Sequence, residues 1–349
     1  MKKKSLSVLK KTRNFYYTKL KKPLIKKAFK DFSDNLKSLD LKNKKIIIAV
    51  SGGVDSLTLL FFAKCLSLIE NTKLYPVIVD HKIRSESTNE AKDLKKKIKN
   101  SYFIDCKILS KNKIKITKNI QSQARELRYN LILDECKKNE IEYIFLGHHR
   151  DDLEENFFIR FLRGSGLKGL VSLNNVISDY KNIKLIRPML NFTKKKLYLI
   201  NKQTFNYSIA DPTNFDDKFL RTRIRKLLLN LKNEGLNFKK FNMTMKNLSK
   251  TDRLVEYYVN QNILKNLKFL KKDKKIILNK NFFKNPQEVV FRSFTKAINL
   301  LGDKKNYPRG KKVVNLLNLL NSSNKTLKFT LSGCLFKKTN ESVIIYQEK

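Results

Sequence analysis

The stretch Ile46-Ile47-Ile48-Ala49-Val50 runs directly into Ser51-Gly52-Gly53-Val54-Asp55-Ser56. The first five residues are typical of a buried strand, and the apolar residues Leu57, Leu60 and Ala63 that follow predict an amphipathic helix. Glycines lack a Cβ, so the backbone can bend closely around an anion, and the start of the next helix directs unpaired N–H groups at the same point. The segment therefore predicts a phosphate-binding loop between a strand and a helix.

A nucleotide is the ligand that this loop favours, and the assigned binding residues are Ser51, Gly52, Gly53, Val54, Asp55 and Ser56. Asp55 would repel phosphate unless a divalent cation lay between them, so it is interpreted as a Mg²⁺ ligand. The alternative is a turn followed by an ordinary helix cap, because Ser and Asp cap helices and Gly forms turns. The loop lacks the Gly-Lys-Ser/Thr ending of a Walker A motif. It resembles the pyrophosphate-binding loop of the ATP pyrophosphatase superfamily, whose members adenylate their substrates.

The composition indicates a soluble chain of more than one domain. The chain has 349 residues, 41% of them hydrophobic, and no apolar run approaches the ~20 residues of a membrane span. We therefore expect a cytoplasmic protein without a membrane segment. The four cysteines are widely separated, which argues against a metal cluster or thiol redox chemistry and favours structural roles. They are Cys65, Cys106, Cys136 and Cys334.

The charge of the chain predicts a polyanionic partner. The chain carries 76 Lys and Arg against 31 Asp and Glu, a net charge of +45, and nucleic acid is the partner that such a charge favours. Codon bias in an AT-rich genome is an alternative source of part of the lysine excess. Residues 1–30 hold twelve Lys or Arg and no acid. They are interpreted either as a basic extension lying along a phosphate backbone or as a solvated tail.

Strand and helix patterns alternate from residue 45 onward. Strands are predicted at 45–50, 74–80, 102–108 and 142–147, and helices at 55–69, 87–99, 118–139 and 151–163. This alternation predicts an α/β fold with a parallel sheet covered by helices on both faces, in which ligands bind at the carboxyl ends of the strands.

A second, mainly helical domain is expected after a linker at 233–235. Its predicted helices lie near 238–267, 286–301 and 310–321, followed by short β segments near 326–346. The expected organisation is a basic extension at 1–44, a nucleotide-binding catalytic domain at 45–232, and a helical and β domain at 233–349 that binds nucleic acid.

Two further segments place basic and imidazole groups beside the loop. The second strand ends in Asp80-His81, which can offer groups to a nucleobase, and Arg84 follows within reach of a phosphate; an ordinary strand-end turn is the alternative. Arg125 and Arg128 share one face of a predicted helix, where they either clamp a phosphate or form a solvated surface.

The segment 147–156 combines two histidines and four acids directly after a predicted strand. His148 and His149 stand at the strand end, and Asp152 and Glu155 project together from the first helical turn. Acids at a helix start also interact favourably with the helix dipole, but their position beside the histidines favours a site. Asp152 is interpreted as the second Mg²⁺ ligand.

Basic residues outside these segments are candidate contacts to substrate. The glycine-rich loop at 164–169 follows a helix, which excludes a dinucleotide fingerprint, and Arg163 and Lys168 flank it as phosphate contacts. Asp211 lies in a turn where it can receive a cationic amine. Arg221, Arg223 and Arg225 begin a later helix.

Taken in order, these motifs resemble the tRNA(Ile)-lysidine synthetase family. The matching segments are SGGVDS, VDHKIRSES, ARELRY, HHRDDLEE, RGSGLKGL, RPML, DPTN and RTRIR, within residues 45–230. Asn156 and Thr222 depart from the Thr and Asn that the family has there.

The resemblance implies ATP-dependent ligation of lysine to C2 of the wobble cytidine in a tRNA(Ile) with a CAU anticodon, through an adenylated base. It implies that Glu155 and Asp211 recognise the lysine ammonium, and that His149 or a carboxylate accepts its proton. The resulting catalytic set is Asp55, Asp152, Glu155, Arg125, Arg128 and His149. ATP and Mg²⁺ are the implied cofactors, tRNA(Ile) and free lysine the partners, and a homodimer is compatible with the sequence. The rival reading is a tRNA 2-thiolation enzyme with the same kind of loop.

Overall fold

The computed structural model of the protein describes residues 6–82, 86–111, 120–173, 176–180, 183–209, 220–302, 308–322 and 328–348. Contacts between residues divide the chain into two compact units, Met1–Phe241 and Asn242–Lys349. Among the described helices, none combines the length and hydrophobicity that crossing a membrane requires.

The described part of the first unit contains a six-stranded, mostly parallel sheet. Its strands are β1 Lys45–Ala49, β2 Lys73–Asp80, β3 Lys107–Ser110, β4 Tyr143–Phe145, β5 Ile177–Tyr180 and β6 Ile183–Ile186. They lie in the order β3-β2-β1-β4-β6-β5. Only β5 runs antiparallel to its neighbour. Because β1 pairs with β2 on one side and β4 on the other, the segments that follow these three strands emerge at the same edge.

The central strand shows why both faces of the sheet are covered. Ile46 and Ile48 pack into one apolar cluster, whereas Ile47 packs into another, as the two-residue alternation of a strand requires. The first cluster includes the helix after β1, and the second includes the helix before β4. The predicted parallel sheet with helices on both faces is confirmed.

The helices of this sheet lie close to their predicted positions. After the N-terminal pair, the first unit has α3 Val54–Glu70, α4 Ser87–Tyr102, α5 Ile120–Asn139, α6 Arg150–Leu162, α7 Leu167–Leu170, α8 Lys194–Gln203 and α9 Leu220–Asn233. Residues 118–119 of one predicted helix lie outside the described residues.

The predicted strand at 102–108 is wrong for residues 102–106. Tyr102 is the last residue of α4 and is buried; its hydroxyl donates to the Phe205 carbonyl at 2.8 Å. Phe103 ends the helix with a left-handed φ of 56°. The apolar run Tyr102-Phe103-Ile104 therefore packs as a helix end, and the strand begins only at Lys107.

The N-terminal segment forms two helices, α1 Leu6–Leu20 and α2 Pro23–Asp34, that belong to the core. Tyr16, Ile25 and Phe32 are fully buried in the same cluster as Ile46 and Ile48. The Tyr16 hydroxyl also donates to the carbonyl of the last α4 residue at 2.8 Å. The solvated-tail interpretation is therefore wrong for residues 6–34, where the lysines occupy the outer face of packed helices.

The second unit contains helices and an antiparallel sheet. Its elements are α10 Phe238–Asn266, which begins in the first unit, β7 Leu267–Leu270, β8 Lys275–Asn279, α11 Gln287–Leu301, α12 Gly310–Ser322, β9 Lys328–Leu331, β10 Cys334–Lys338 and β11 Ser342–Gln347. The described strands lie in the order β7-β8-β11-β10-β9. The three predicted helices and the terminal β segments are confirmed, whereas β7 and β8, short runs between lysines, were not predicted. The turn between α9 and α10 falls at the expected linker, and Gly235 has a positive φ there.

Phe32 tests whether the N-terminal helices are part of the fold. Replacing Phe32 by Ala removes a fully buried ring that contacts Phe62 at 5.3 Å between centroids. A cavity of this kind costs about 3–5 kcal/mol, so thermal and urea unfolding of Phe32→Ala should shift strongly. Lys27→Ala, an exposed change on the same helix, is the control. Equal stability of the two variants would contradict the packing of α2 on the core.

Candidate active site

The loop between β1 and α3 depends on one glycine more than on the other. Gly52 has φ +83°, a conformation in which a residue with a side chain is strained. Its carbonyl accepts a hydrogen bond from the Ile209 N–H at 2.9 Å. A Cβ built on Gly52 would lie 2.7 Å from Ile209 Cδ1. Gly53 has φ −71° and caps α3, so its conformation alone does not require glycine. The prediction that the loop needs the conformational freedom of glycine is therefore confirmed for Gly52 but not for Gly53.

The two serines of the loop bond to each other. The Ser56 hydroxyl donates to the Gly53 carbonyl at 2.9 Å, and it accepts from the Ser51 N–H and the Ser51 hydroxyl, each at 3.2 Å. These bonds close the loop over the start of α3. The first-turn N–H groups of α3, beginning at Val54, have no partner within the helix and carry its partial positive charge. The loop thus has the local features of an anion site.

The carboxylates Asp55 and Asp152 converge on the imidazole of His149. His149 Nε2 lies 3.7 Å from Asp55 Oδ2 and 3.5 Å from Asp152 Oδ2. The ring is oriented by the start of α6, because the Asp151 N–H donates to His149 Nδ1 at 3.2 Å. When the ring is neutral, its proton is therefore on Nε2 and points toward the carboxylates.

Asp152 is held in its ionised form. Burial alone would raise its pKa, but the nearby His149 ring and Arg221 guanidinium lower the pKa below its ordinary value. Arg221 Nη2 donates to Asp152 Oδ1 at 2.9 Å, and the His149 N–H donates to Oδ2 at 3.0 Å. Asp152 is accordingly an anionic group suited to a cation.

Glu155 is bound by two arginines of α9. Arg221 Nε lies 2.6 Å from one carboxylate oxygen, and Arg225 Nε lies 2.6 Å from the other. The Glu155 side chain is only 4% exposed, whereas those of Arg221 and Arg225 are 47% and 41% exposed. A buried carboxylate is thus covered by cations that solvent reaches.

Lys194, the first residue of α8, binds the carboxylate of the phosphate loop. Its ammonium lies 2.8 Å and 2.7 Å from the two oxygens of Asp55. The Lys194 N–H also donates to the carboxylate of Asp151 at 2.9 Å. Neither Lys194 nor Asp151 was predicted as a site residue. One lysine among 76 Lys and Arg cannot be recognised as a site residue until the fold is known.

At the end of β2, Asp80 and His81 have different surroundings. The Asp80 carboxylate is buried and accepts from the Lys82 N–H and from the hydroxyls of Ser87 and Thr88, so it orders the strand-end loop. His81 Nε2 lies 3.2 Å from Arg128 Nη2. Burial and this guanidinium lower the pKa of His81 to about 4, so the ring is neutral at physiological pH.

His148 brings further arginines to the site. It is half-buried among charged groups, and burial, together with Arg187, Arg125 and Arg221, lowers its pKa to about 4. The Arg125 guanidinium lies 5.4 Å from the Tyr129 ring centre. Arg187 of the RPML segment is buried and donates to the Ser178 hydroxyl at 2.8 Å. Arg187 was not predicted as a site residue, because no strand was predicted at 183–186 to place it at the edge of the sheet.

Several predicted residues lie elsewhere. Arg163 and Lys168 are exposed beyond the C-terminal end of α6, and Arg163 follows Asp152 by eleven positions, about 16 Å along the helix axis. Arg223 is exposed on a different face of α9 from Arg221 and Arg225. Arg84 and Asp211 lie outside the described residues.

The donor chemistry at Asp55 and Asp152 fits Mg²⁺. Mg²⁺ prefers hard oxygens and is commonly held by one or two carboxylates together with substrate phosphates. Within the described segments, no group of three or more His, Cys, Asp or Glu is placed to hold a metal ion. A magnesium ion here would therefore need phosphate oxygens to complete its coordination.

Comparison with known proteins agrees with the loop and the fold. The family model of the PP-loop domain matches residues 12–232. The U34-tRNA thiolase NcsA from Methanococcus maripaludis, with its [4Fe-4S] cluster, has a TM-score of 0.55 and 20% identity over 64% of this chain and 78% of that one; this likeness shows the fold alone. The fold and the site thus define a PP-loop protein.

The sequence relatives narrow this class. The tRNA(Ile)-lysidine synthase of Wolbachia sp. subsp. Brugia malayi is 30% identical over 91% of this chain and 74% of its own length. That of Wolbachia pipientis wMel has the same identity and coverage. That of Orientia tsutsugamushi is 42% identical over 54% of this chain, which is 42% of the relative. The chain belongs to the tRNA(Ile)-lysidine synthase family.

The difference between Gly52 and Gly53 can be measured. Gly52→Ala should destabilise the first unit by roughly 1–3 kcal/mol, because a side chain at positive φ is strained; Ile209 Cδ1 is the end of a flexible side chain and can move. Gly53→Ala, whose Cβ would meet nothing closer than Ser51 Oγ at 3.7 Å, is the matched control. Thermal unfolding compares them. A Gly53→Ala variant as unstable as Gly52→Ala would contradict the assigned loop geometry.

Proposed function

We propose that this chain ligates lysine to C2 of the wobble cytidine of tRNA(Ile) with a CAU anticodon and cleaves ATP to AMP and pyrophosphate. The observation that carries the proposal is the convergence of Asp55, Asp152 and His149 beside a PP-loop, with Glu155 one helical turn from Asp152. This convergence supports a phosphate site next to a carboxylate that can bind an amine. The family relationship supports the same reaction.

In the first step, the cytosine O2 attacks the α-phosphorus of ATP, and the bond to the bridging oxygen of the leaving pyrophosphate breaks. The backbone of Gly52 and Gly53 and the start of α3 hold the pyrophosphate. Asp55 and Asp152 would hold Mg²⁺, which when bound offsets the charge that develops on the phosphates. Ser56 keeps the loop closed through its bond to the Gly53 carbonyl.

In the second step, the lysine ε-amine attacks C2 and AMP leaves. The amine has an ordinary pKa near 10.4, so it must lose a proton before attack. The hydrogen bond at His149 Nδ1 keeps the proton of the neutral ring on Nε2, which makes His149 a donor toward the carboxylates. The geometry therefore favours a carboxylate as the proton acceptor, with His149 positioning Asp55 and Asp152.

Lysine and tRNA are assigned to opposite partners of the same ion pairs. Glu155 is the carboxylate assigned to the lysine ammonium, and Arg221 and Arg225 are assigned to tRNA phosphates, yet all three are bound to each other. An ammonium reaches the Glu155 oxygens only if an arginine moves away. The half-exposed arginines are free to turn toward phosphate, which they bind bidentately. Arrival of the RNA backbone thus exposes the lysine-binding carboxylate.

The 2-thiolation alternative is less well supported. All four cysteines are buried, and they are divided among three apolar clusters. Burial raises the pKa of the thiols of Cys106 and Cys136 to about 12 and of Cys334 to about 11. Sulfur transfer through cysteine needs accessible thiolates, which these positions do not provide.

The remaining features suit a tRNA enzyme. The net charge of +45 supplies electrostatic affinity for RNA, and a cytoplasmic location follows from that substrate. Arg125, Arg128, Arg163, Lys168 and Arg223 are proposed as further contacts to ATP or RNA phosphates, and Asp80 and His81 as neighbours of the nucleotide base.

Transcripts that differ in one base test the reaction. The protein is incubated with ATP, Mg²⁺, labelled lysine and tRNA(Ile) transcripts that carry either cytidine or uridine at the wobble position. Label should enter the cytidine transcript alone, with one pyrophosphate released for each lysine. Absence of lysine transfer, or transfer that ignores the base, would contradict the proposal, and incorporation of sulfur into the uridine transcript would favour the thiolation alternative.

If lysine must replace an arginine at Glu155, removing an arginine should increase the affinity of the protein for lysine. Arg225→Gln removes one cation that competes for Glu155, so equilibrium dialysis without tRNA should show labelled lysine binding about 3–10-fold more tightly. Arg223→Gln removes the same charge from another face of α9 and should leave lysine binding unchanged. Weaker lysine binding by Arg225→Gln would instead mean that the arginine helps to form the lysine site.

A further inference from the structure

The start of α8 is anchored to the start of α6. The Lys194 N–H donates to an Asp151 oxygen at 2.9 Å, and the Thr193 hydroxyl caps α8 by accepting the Lys196 N–H at 3.1 Å. The first contact uses the backbone of Lys194, the second fixes the start of its helix, and neither uses the Lys194 side chain. The Cα of Lys194 is therefore held beside the carboxylates whatever its ammonium binds.

The ammonium of Lys194 is directed at the PP-loop, unlike those of its neighbours. It contacts both oxygens of Asp55, at 2.8 Å and 2.7 Å, while half of the side chain remains exposed. Lys196 pairs instead with Asp31 at 2.9 Å, and Lys195 is exposed. One lysine of three successive ones thus reaches the loop that holds phosphate.

The same Asp55 oxygens are those assigned to Mg²⁺. A carboxylate whose two oxygens both accept from an ammonium binds a divalent cation less tightly. Lys194 and Mg²⁺ would therefore compete for Asp55. If Asp55 held the metal that accompanies ATP, the Lys194 ammonium would be released, but its backbone would remain tied to Asp151. A flexible four-carbon stem with three donors then lies within reach of the phosphates.

We propose that Lys194 is a catalytic residue that binds the β- and γ-phosphates of ATP and holds the pyrophosphate as it leaves; this inference rests on the proposed function. During adenylation, the bond from the α-phosphorus to the bridging oxygen breaks, and its electron pair stays on the pyrophosphate. Lys194 donates hydrogen bonds to that anion and gives up no proton. In the free protein, the same ammonium neutralises Asp55 and keeps the loop receptive to an anion.

Binding of pyrophosphate in the presence of Mg²⁺ tests the role of Lys194 without turnover. Calorimetry of the full chain should show Lys194→Gln binding pyrophosphate at least about tenfold more weakly than the wild type, because a charge-assisted contact is lost. Lys194→Arg should recover part of the affinity. Lys195→Gln, with the same charge change one residue away, should differ from the wild type by less than about twofold. Equal affinities of Lys194→Gln and Lys195→Gln would overturn the proposal.

Binding of Mn²⁺ alone provides a second readout with the opposite sign. Without nucleotide, Lys194→Gln should bind Mn²⁺ more tightly than the wild type, because the competing ammonium is removed from Asp55. If Lys194→Gln bound Mn²⁺ more weakly than the wild type, the proposed competition between Lys194 and the metal for Asp55 would be wrong. Both readouts decide the role of Lys194 even if the wild type transfers no lysine, an outcome that would count against the proposed function alone.

Discussion

Two carboxylates of α6, those of Glu154 and Glu155, constrain the structure around them, because they are nearly removed from water. Burying a charge is costly unless it is paired, and Glu154 and Glu155 expose 1% and 4% of their side chains. Their cations come from α9, where Lys232 lies 3.0 Å from Glu154 and Arg225 lies 2.6 Å from Glu155. Pairing of these acids therefore fixes α9 against α6. Since Asp151, in the same turn of α6, also binds the start of α8, the helix that carries the acids organises two others.

The parts of this arrangement that could be predicted from the sequence are those formed by residues close together in the chain. The strand, loop and helix around residues 45–70 were predictable, because the apolar run, the glycines and the helical pattern are contiguous. The proximity of Asp152 to the loop was predictable for the same reason, because His149 and Asp152 directly follow a strand. The contact of Lys194 with Asp55 was not, because it joins residues 139 positions apart and nothing in a lysine-rich helix marks one lysine. Arg187 was not predicted because His148, which it lies near, is distant from it in the sequence.

The N-terminal helices show how composition can conceal a core segment. Twelve basic residues among the first thirty favour a solvated or RNA-bound extension when charge is counted along the chain. Helical geometry separates the two kinds of residue, since Ile25, Ala28 and Phe32 fall on one face of α2 and are buried, while the lysines project from the other face. The lysines can still attract a polyanion from their outer position. Charge thus indicates the partner of this segment but says little about its packing.

The arrangement of ion pairs gives a physical account of how an anion-binding site can contain so many carboxylates. Three acids beside the PP-loop are each matched by a cation of the chain: Asp55 by Lys194, Asp152 by Arg221, and Glu155 by Arg221 and Arg225. The acids are largely buried and the cations are about half exposed, so the cations are the mobile partners. A polyanionic substrate draws such cations outward and leaves the acids to bind the cationic groups that accompany or follow it. On the proposed function, the same contacts that neutralise these acids therefore favour binding of the anion before the amine.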